Sequence, residues 1–239
     1  APGGGNDLVS RTLAQALSKN LGQSVVVDNR PGATTIIGME LVAKAPADGY
    51  TLVMSSSTLA INVTLYPKLP YDVLRDFAPV SLVATTPLIL AVHPSQPVTT
   101  VAELIALAKA KPGVINFASG PSGAIPHLAG ELFKAMAGID IVHIGYKGVG
   151  LAVTDVIGGR IQVMFPNASA ALPQIKAGRL RGLAVSSAKP SALAPGIPTV
   201  AESGLPGYEC VAMYAVFVPA KTPTALVTRL NREIVKVLN

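Results

Sequence analysis

Short apolar runs rich in valine and isoleucine alternate with helix-patterned segments along almost all of the 239 residues. That alternation confines the chain to α/β layers and predicts a mostly parallel sheet. Strand-like runs fall at residues 24–28, 51–55, 114–118, 139–144, 161–165, 180–186 and 208–218, and residues 82–92 read as extended chain. Between them lie helical patterns. Leu8, Val9, Leu13, Ala16, Leu17 and Leu21 recur at helical spacing, and residues 34–45, 126–137, 151–157 and 168–177 follow the same rule. Thr99 or Thr100 is expected to cap a helix that runs through Ala110, with Glu103 in its first turn, and Pro223 suits the first turn of the last helix. A second unit begins near Val98, and the run 208–218 returns to the first after a Pro/Gly/Ser-rich loop at 188–207.

Two glycine-bearing turns sit at helix starts. Pro2 to Gly5 leads into the first helix with Asn6 or Asp7 as N-cap, and Ser119-Gly120-Pro121-Ser122-Gly123 leads from a strand into another. Such a turn aims unpaired N–H groups and the positive end of a helix dipole at one spot, which suits an anion. The plain alternative is a turn that only starts a helix. Neither turn is a nucleotide fingerprint, because Gly-x-Gly-x-x-Gly spacing and a Walker lysine are absent. Ser55-Ser56-Ser57-Thr58 is a further polar helix start. In open α/β sheets ligands bind where such turns gather at the strands' carboxyl ends.

Composition narrows the function. Half the residues are hydrophobic, yet no apolar run approaches the roughly 18 residues that suggest a membrane span. Nineteen basic and thirteen acidic residues leave a net charge of +6, scattered and accompanied by six Tyr, five Phe and no Trp. That pattern argues against nucleic-acid binding and suits a small anionic ligand. Cys210 is the single cysteine, lies in an apolar run, and is expected to be a buried, inert thiol. His127 and Glu131 share a helix face, but a third ligand and the His-Glu-x-x-His order are missing, so no metal is expected and His127 is assigned a local hydrogen bond. His93 and His143 receive no role. Ser119 and Ser122 do not meet Gly-x-Ser-x-Gly and are read as ligand hydrogen-bonding groups rather than nucleophiles. Lys147 could meet a carboxylate or simply be solvated. Asp7 would repel an anion and is expected to cap the helix or hold a water. Asp155 and Arg160 read as surface charges.

An ordered set of short motifs then becomes recognisable. It comprises Pro2-Gly-Gly-Gly-Asn-Asp7, Asn29-Arg-Pro-Gly-Ala33, Ala47-Asp-Gly-Tyr50, His127-Leu-Ala-Gly-Glu131 and Tyr146-Lys-Gly148. Pro173-Gln-Ile-Lys-Ala-Gly178, Pro198-Thr-Val-Ala-Glu-Ser-Gly204 and Pro219-Ala-Lys-Thr-Pro223 complete it. In order and spacing this set resembles the Bug/TctC family, extracytoplasmic solute receptors of tripartite tricarboxylate transporters. The resemblance implies an α/β, two-domain periplasmic-binding-protein (type II-like) fold with a ligand cleft between domains. The expected domains are residues 1–97 with 209–239, and 98–208, hinged near 93–101 and 205–212. Carried over by position, the ligand-binding residues are Gly3, Gly4, Asn6, Asp7, Ser57, Thr58, Ser119, Ser122, Gly123 and Asn167. The implied partners are a small carboxylate and membrane transporter subunits, with no nucleic acid, no cofactor, a periplasmic location and a monomeric state. The rivals are an α/β enzyme acting on a carboxylate, which would lack a convincing acid/base pair or nucleophile, and a ligand-sensing subunit of a signalling system. The chain departs from the family in having Thr34-Thr35 where more glycine is usual, and Gly145 where proline is usual. Family members also have a strand before the first turn and residues beyond position 239, so this sequence is expected to be a piece of a longer precursor with a gap in its first sheet.

Overall fold

The computed structural model of the protein describes residues 5–239, so Gly3 and Gly4 of the first glycine turn lie outside the described residues. The chain divides into two compact units, residues 1–85 with 213–239, and residues 86–212. The first unit carries α1 (Gly5–Leu21), α2 (Ile36–Ala43), β1 (Val53–Ser56), α3 (Thr58–Leu65) and β2 (Phe77–Pro87), whose last residues pass into the second. There follow β3 (Ile89–Val92), α4 (Val101–Ala110), β4 (Asn116–Ser119), α5 (Ile125–Ala137), β5 (Val142–Gly145), α6 (Val149–Ile157), β6 (Val163–Met164), α7 (Ala168–Lys176) and β7 (Arg181–Val185). β8 (Val211–Pro219) brings the chain back, and α8 (Thr224–Leu238) ends it.

The first unit is built on a sheet in the order β1-β8-β2, with β1 antiparallel to β8 and Ser56 opposite Tyr214. The apolar stripe of α1 is buried as its spacing predicts: Leu13 and Leu17 pack with Val80 of β2, Val216 and Val218 of β8, and Ile234 of α8. Met39, Val42, Leu59, Tyr71 and Phe77 form a separate apolar cluster in the same unit.

The second unit holds a five-stranded sheet in the order β5-β4-β6-β3-β7. β4 runs parallel to β5 and β6, whereas β3 runs antiparallel to β6 and β7. The expected mostly parallel arrangement is therefore corrected to mixed sheets. Strands reached through a helical crossover lie parallel, while β3 enters directly from β2 and takes the reverse direction. Ile89, Ala91, Val156, Met164, Ala171 and Val185 make its buried core. Thr100 caps α4 in a full capping box: its hydroxyl accepts the Glu103 N–H at 3.2 Å, and Glu103 Oε2 accepts the Thr100 N–H at 3.2 Å.

Two further expectations are corrected. Residues 24–28 join no ladder: the Val25 N–H goes to the Ser18 hydroxyl, and Val26 is 81% exposed. β-branched residues make a strand only where a neighbour pairs their backbone. The helix expected over 34–45 begins at Ile36, because Ala33, Thr34 and Thr35 all have positive φ, at 43°, 50° and 75°.

Candidate functional site

In the second unit the expected ligand residues follow two neighbouring interior strands at the same end of the sheet. β4 and β6 are adjacent and parallel, with Ala118 opposite Met164, so the turn after β4 and Asn167 after β6 follow the same strand ends. Ser119 closes β4 and is buried; its hydroxyl donates to the Gly120 carbonyl at 2.9 Å and lies 2.7 Å from His143 Nε2. Ser122 is exposed on the turn. Gly123 adopts φ of 83°, where a side chain would be strained, and its N–H donates to His127 Nδ1 at 3.1 Å. Asn167 is the N-cap of α7, and its carbonyl accepts the N–H groups of Ala170 and Ala171 at 2.9 and 3.0 Å.

Behind this turn lies a cluster that sequence reasoning only half found. The local hydrogen bond expected of His127 is the Gly123 contact. His143, to which no role was assigned, stacks against it with ring centroids 4.1 Å apart, and Phe117 lies 5.0 Å from the His143 ring. The signal was the β4–β5 register, Phe117 opposite His143, which no local motif announces. Burial pushes both imidazoles below the ordinary histidine value, and the His127 charge lowers His143 further. Glu131 Oε1 stands 3.9 Å from His127 Nε2 and opposes that shift, while Lys134, 3.4 Å from Glu131, reinforces it. After β5, Tyr146 donates its hydroxyl to Asp155 Oδ2 at 2.7 Å, and Arg160 binds Asp155 Oδ1 at 2.7 Å. Asp155 and Arg160 thus do more than solvate the surface: they fix Tyr146, and the Tyr146 hydrogen bond is the main cause of the lowered Asp155 pKa. Lys147 is exposed.

In the first unit Asn6 and Asp7 lie inside the first turn of α1 rather than at its N-cap, which corrects the capping expectation. Asp7 is buried, and its Oδ1 accepts from Asn29 Nδ2 and pairs with Arg11 Nε, both at 2.8 Å. Its charge ties the loop after residue 28 to α1. Asn6 Oδ1 is buried with no hydrogen-bond partner among the described residues. Ser57 receives the Met213 N–H on its hydroxyl and donates its own N–H to the Met213 carbonyl, both at 3.2 Å. Thr58 is buried, and its hydroxyl accepts from Ser56 Oγ at 3.0 Å. Gly5 rests against the Tyr214 side chain, and Tyr214 lies opposite Ser56 in the ladder. A motif scan missed the left-handed turn before α2. Its Thr34 carbonyl accepts from the buried Asn62 Nδ2 at 2.9 Å, and its Thr34 hydroxyl meets Tyr66 OH at 2.9 Å.

Burial pushes the Cys210 thiol up to about 11. Among the described residues no group of three or more His, Cys, Asp or Glu could hold a metal ion, and no helix is long and apolar enough to cross a membrane.

Two α/β units between which the chain passes twice, with helix starts at strand ends, form an architecture that solute-binding receptors share with other proteins. The chain belongs to the TctC family, the tripartite tricarboxylate transporter family receptors, whose profile matches residues 9–239. It is 43% identical over 235 residues to Protein BugT of Bordetella pertussis, spanning 98% of this chain and 72% of that protein. It superimposes on Rhodopseudomonas palustris Rpa4515 with adipate at a TM-score of 0.92, with 40% identity over 98% of this chain and 79% of the other. MatC of Rhodopseudomonas palustris with bound malate gives a TM-score of 0.90 at 28% identity, over 100% of this chain and 82% of that one. The protein is a solute-binding receptor.

Proposed function

We propose that the protein captures a small carboxylate, a di- or tricarboxylate or an aromatic acid, outside the cytoplasmic membrane and hands it to a tripartite tricarboxylate-type carrier. The observation that carries this reading is the match to a receptor solved with adipate, at 40% identity over nearly the whole chain. The turn at 119–123 supports it, since a buried hydroxyl, a left-handed glycine and the start of a 13-residue helix suit a carboxylate. The second unit would supply Ser119, Ser122, Gly123 and Asn167. The first would supply Gly3, Gly4, Asn6, Asp7, Ser57 and Thr58, with Asp7 acting through the loop it anchors. The two domains, residues 1–97 with 209–239 and residues 98–208, would move about the linking segments near 93–101 and 205–212. The protein would act as a monomer after export to the periplasm, and it would return its ligand chemically unchanged.

A thermal-shift screen of carboxylates, followed by NMR of the best binder incubated with the protein, tests the reading. Stabilisation by several carboxylates with the ligand intact is the expected result. Stabilisation by none, or product accumulating in proportion to protein, would refute it.

A further inference from the structure

We infer that His127 is a positioning residue for the 119–123 turn, and that the shape of that turn depends on the His127 ring staying uncharged. The inference rests on the proposed ligand role of that turn. His127 is the third residue of α5, where a glutamate often reaches back to the N-cap amide; here a histidine reaches one residue further and accepts the Gly123 N–H at 3.1 Å. The Ala124 N-cap offers no side-chain bond of its own, and the His127 contact ties the end of the turn to α5. To accept, Nδ1 must be unprotonated, which places the neutral ring's proton on Nε2, towards Glu131 Oε1 at 3.9 Å.

A proton on His127 therefore removes the acceptor of Gly123 and puts a charge at the positive end of α5. The Ser119 hydrogen goes to the Gly120 carbonyl, so neutral His143 already donates from Nε2 to Ser119, and a proton on its Nδ1 would place a charge beside a second imidazole whose centroid is 4.1 Å away. The charged groups acting on the pair are Glu131, which favours protonation, and Lys134, which opposes it. Phe117 of β4 packs on both rings and offers no charge. Burial lowers both pKa values, so the turn is held at neutral pH and released by acid. Ligand affinity falls as the pH drops below the ordinary histidine range.

His127→Asn separates positioning from mere support, because the asparagine Oδ1 can take the place of Nδ1 but does not titrate. His127→Leu has no acceptor. Amide and imidazole NMR of the full chain, followed from about pH 8 to pH 5, reads the tie without any ligand. The expected result is a Gly123 amide that moves with His127, at a midpoint below about 6.5, and that stays still in His127→Asn. A Gly123 amide indifferent to His127 protonation would overturn the inference. Calorimetry with adipate as probe gives the functional readout. Wild-type affinity should fall about tenfold on acidification, that of His127→Asn should not, and His127→Leu should be weak at every pH. Equal pH slopes in wild type and His127→Asn would also overturn it. Failure of adipate to bind at pH 8 would instead count against the ligand class, and the amide titration would still decide the role of His127.

Discussion

Thr35 shows what a single residue can cost a turn. It is β-branched, has φ of 75°, and buries a hydroxyl that has no hydrogen-bond partner among the described residues. A left-handed non-glycine residue costs on the order of 1–3 kcal/mol, more than the roughly 0.5–1 kcal/mol that glycine's extra unfolded freedom costs. Thr35→Gly should therefore stabilise the protein by about 1 kcal/mol, seen as a higher urea midpoint; an unchanged or lower midpoint would show that the turn is not strained. Thr34 differs, because its hydroxyl meets Tyr66, so glycine there should give a smaller gain. The histidine pair has a pH consequence whose sign is fixed. Both pKa values are lowered on folding, so in acid the unfolded chain takes up protons that the folded chain refuses. Their contribution is complete above about pH 6.5 and is lost progressively below it. Melting temperature should fall between pH 7 and 5, and less so in His143→Gln.

At the level of elements, the packing of α5 on β4 is the most sensitive joint. Gly130 is buried in α5 directly over the Phe117 ring, and a methyl group there would collide with it. Phe117 in turn packs on both histidines. Gly130→Ala gains up to about 1 kcal/mol of helix propensity but overpacks a buried contact worth about 1–3 kcal/mol. The net expectation is destabilisation by about 1–2 kcal/mol, together with altered imidazole shifts; a stabilised variant with unmoved shifts would show that Phe117 yields freely. Thr100→Ala breaks the α4 capping box and should cost about 1 kcal/mol in the denaturation midpoint, leaving those shifts alone. Local signals such as these were legible in the sequence: the stripe of α1, the box at Thr100 and Glu103, and the turn at 119–123 are encoded within a few residues. Strand direction was not. β3 is reversed because of where the chain enters the second unit, and His143 reaches Ser119 through register, so both depend on partners distant in sequence. Residues 24–28 read as a strand by composition, yet a strand is a pairing, and composition does not supply one.

Over the whole molecule, the chain passes between the units twice, at 85–86 within β2 and at 212–213 within β8. β2 and β8 are neighbours in the first sheet, so the two connections start from adjacent strands, a geometry suited to hinge bending. Ligand-driven closure should lower the radius of gyration in small-angle scattering, and an unchanged value at saturating ligand would mean capture without closure. The central claim is that this receptor binds a small carboxylate and needs the turn at 119–123 to do so. Calorimetric titration of the full chain with adipate and malate at neutral pH, in wild type and in Ser122→Ala, tests it most directly, because Ser122 is exposed and its loss leaves the core intact. Saturable one-to-one binding of at least one of the two acids is the expected result, and loss of the exposed hydroxyl should cost about 0.5–1.5 kcal/mol of affinity. Absence of saturable binding for both acids, or a folded Ser122→Ala protein with unchanged affinity, would contradict it.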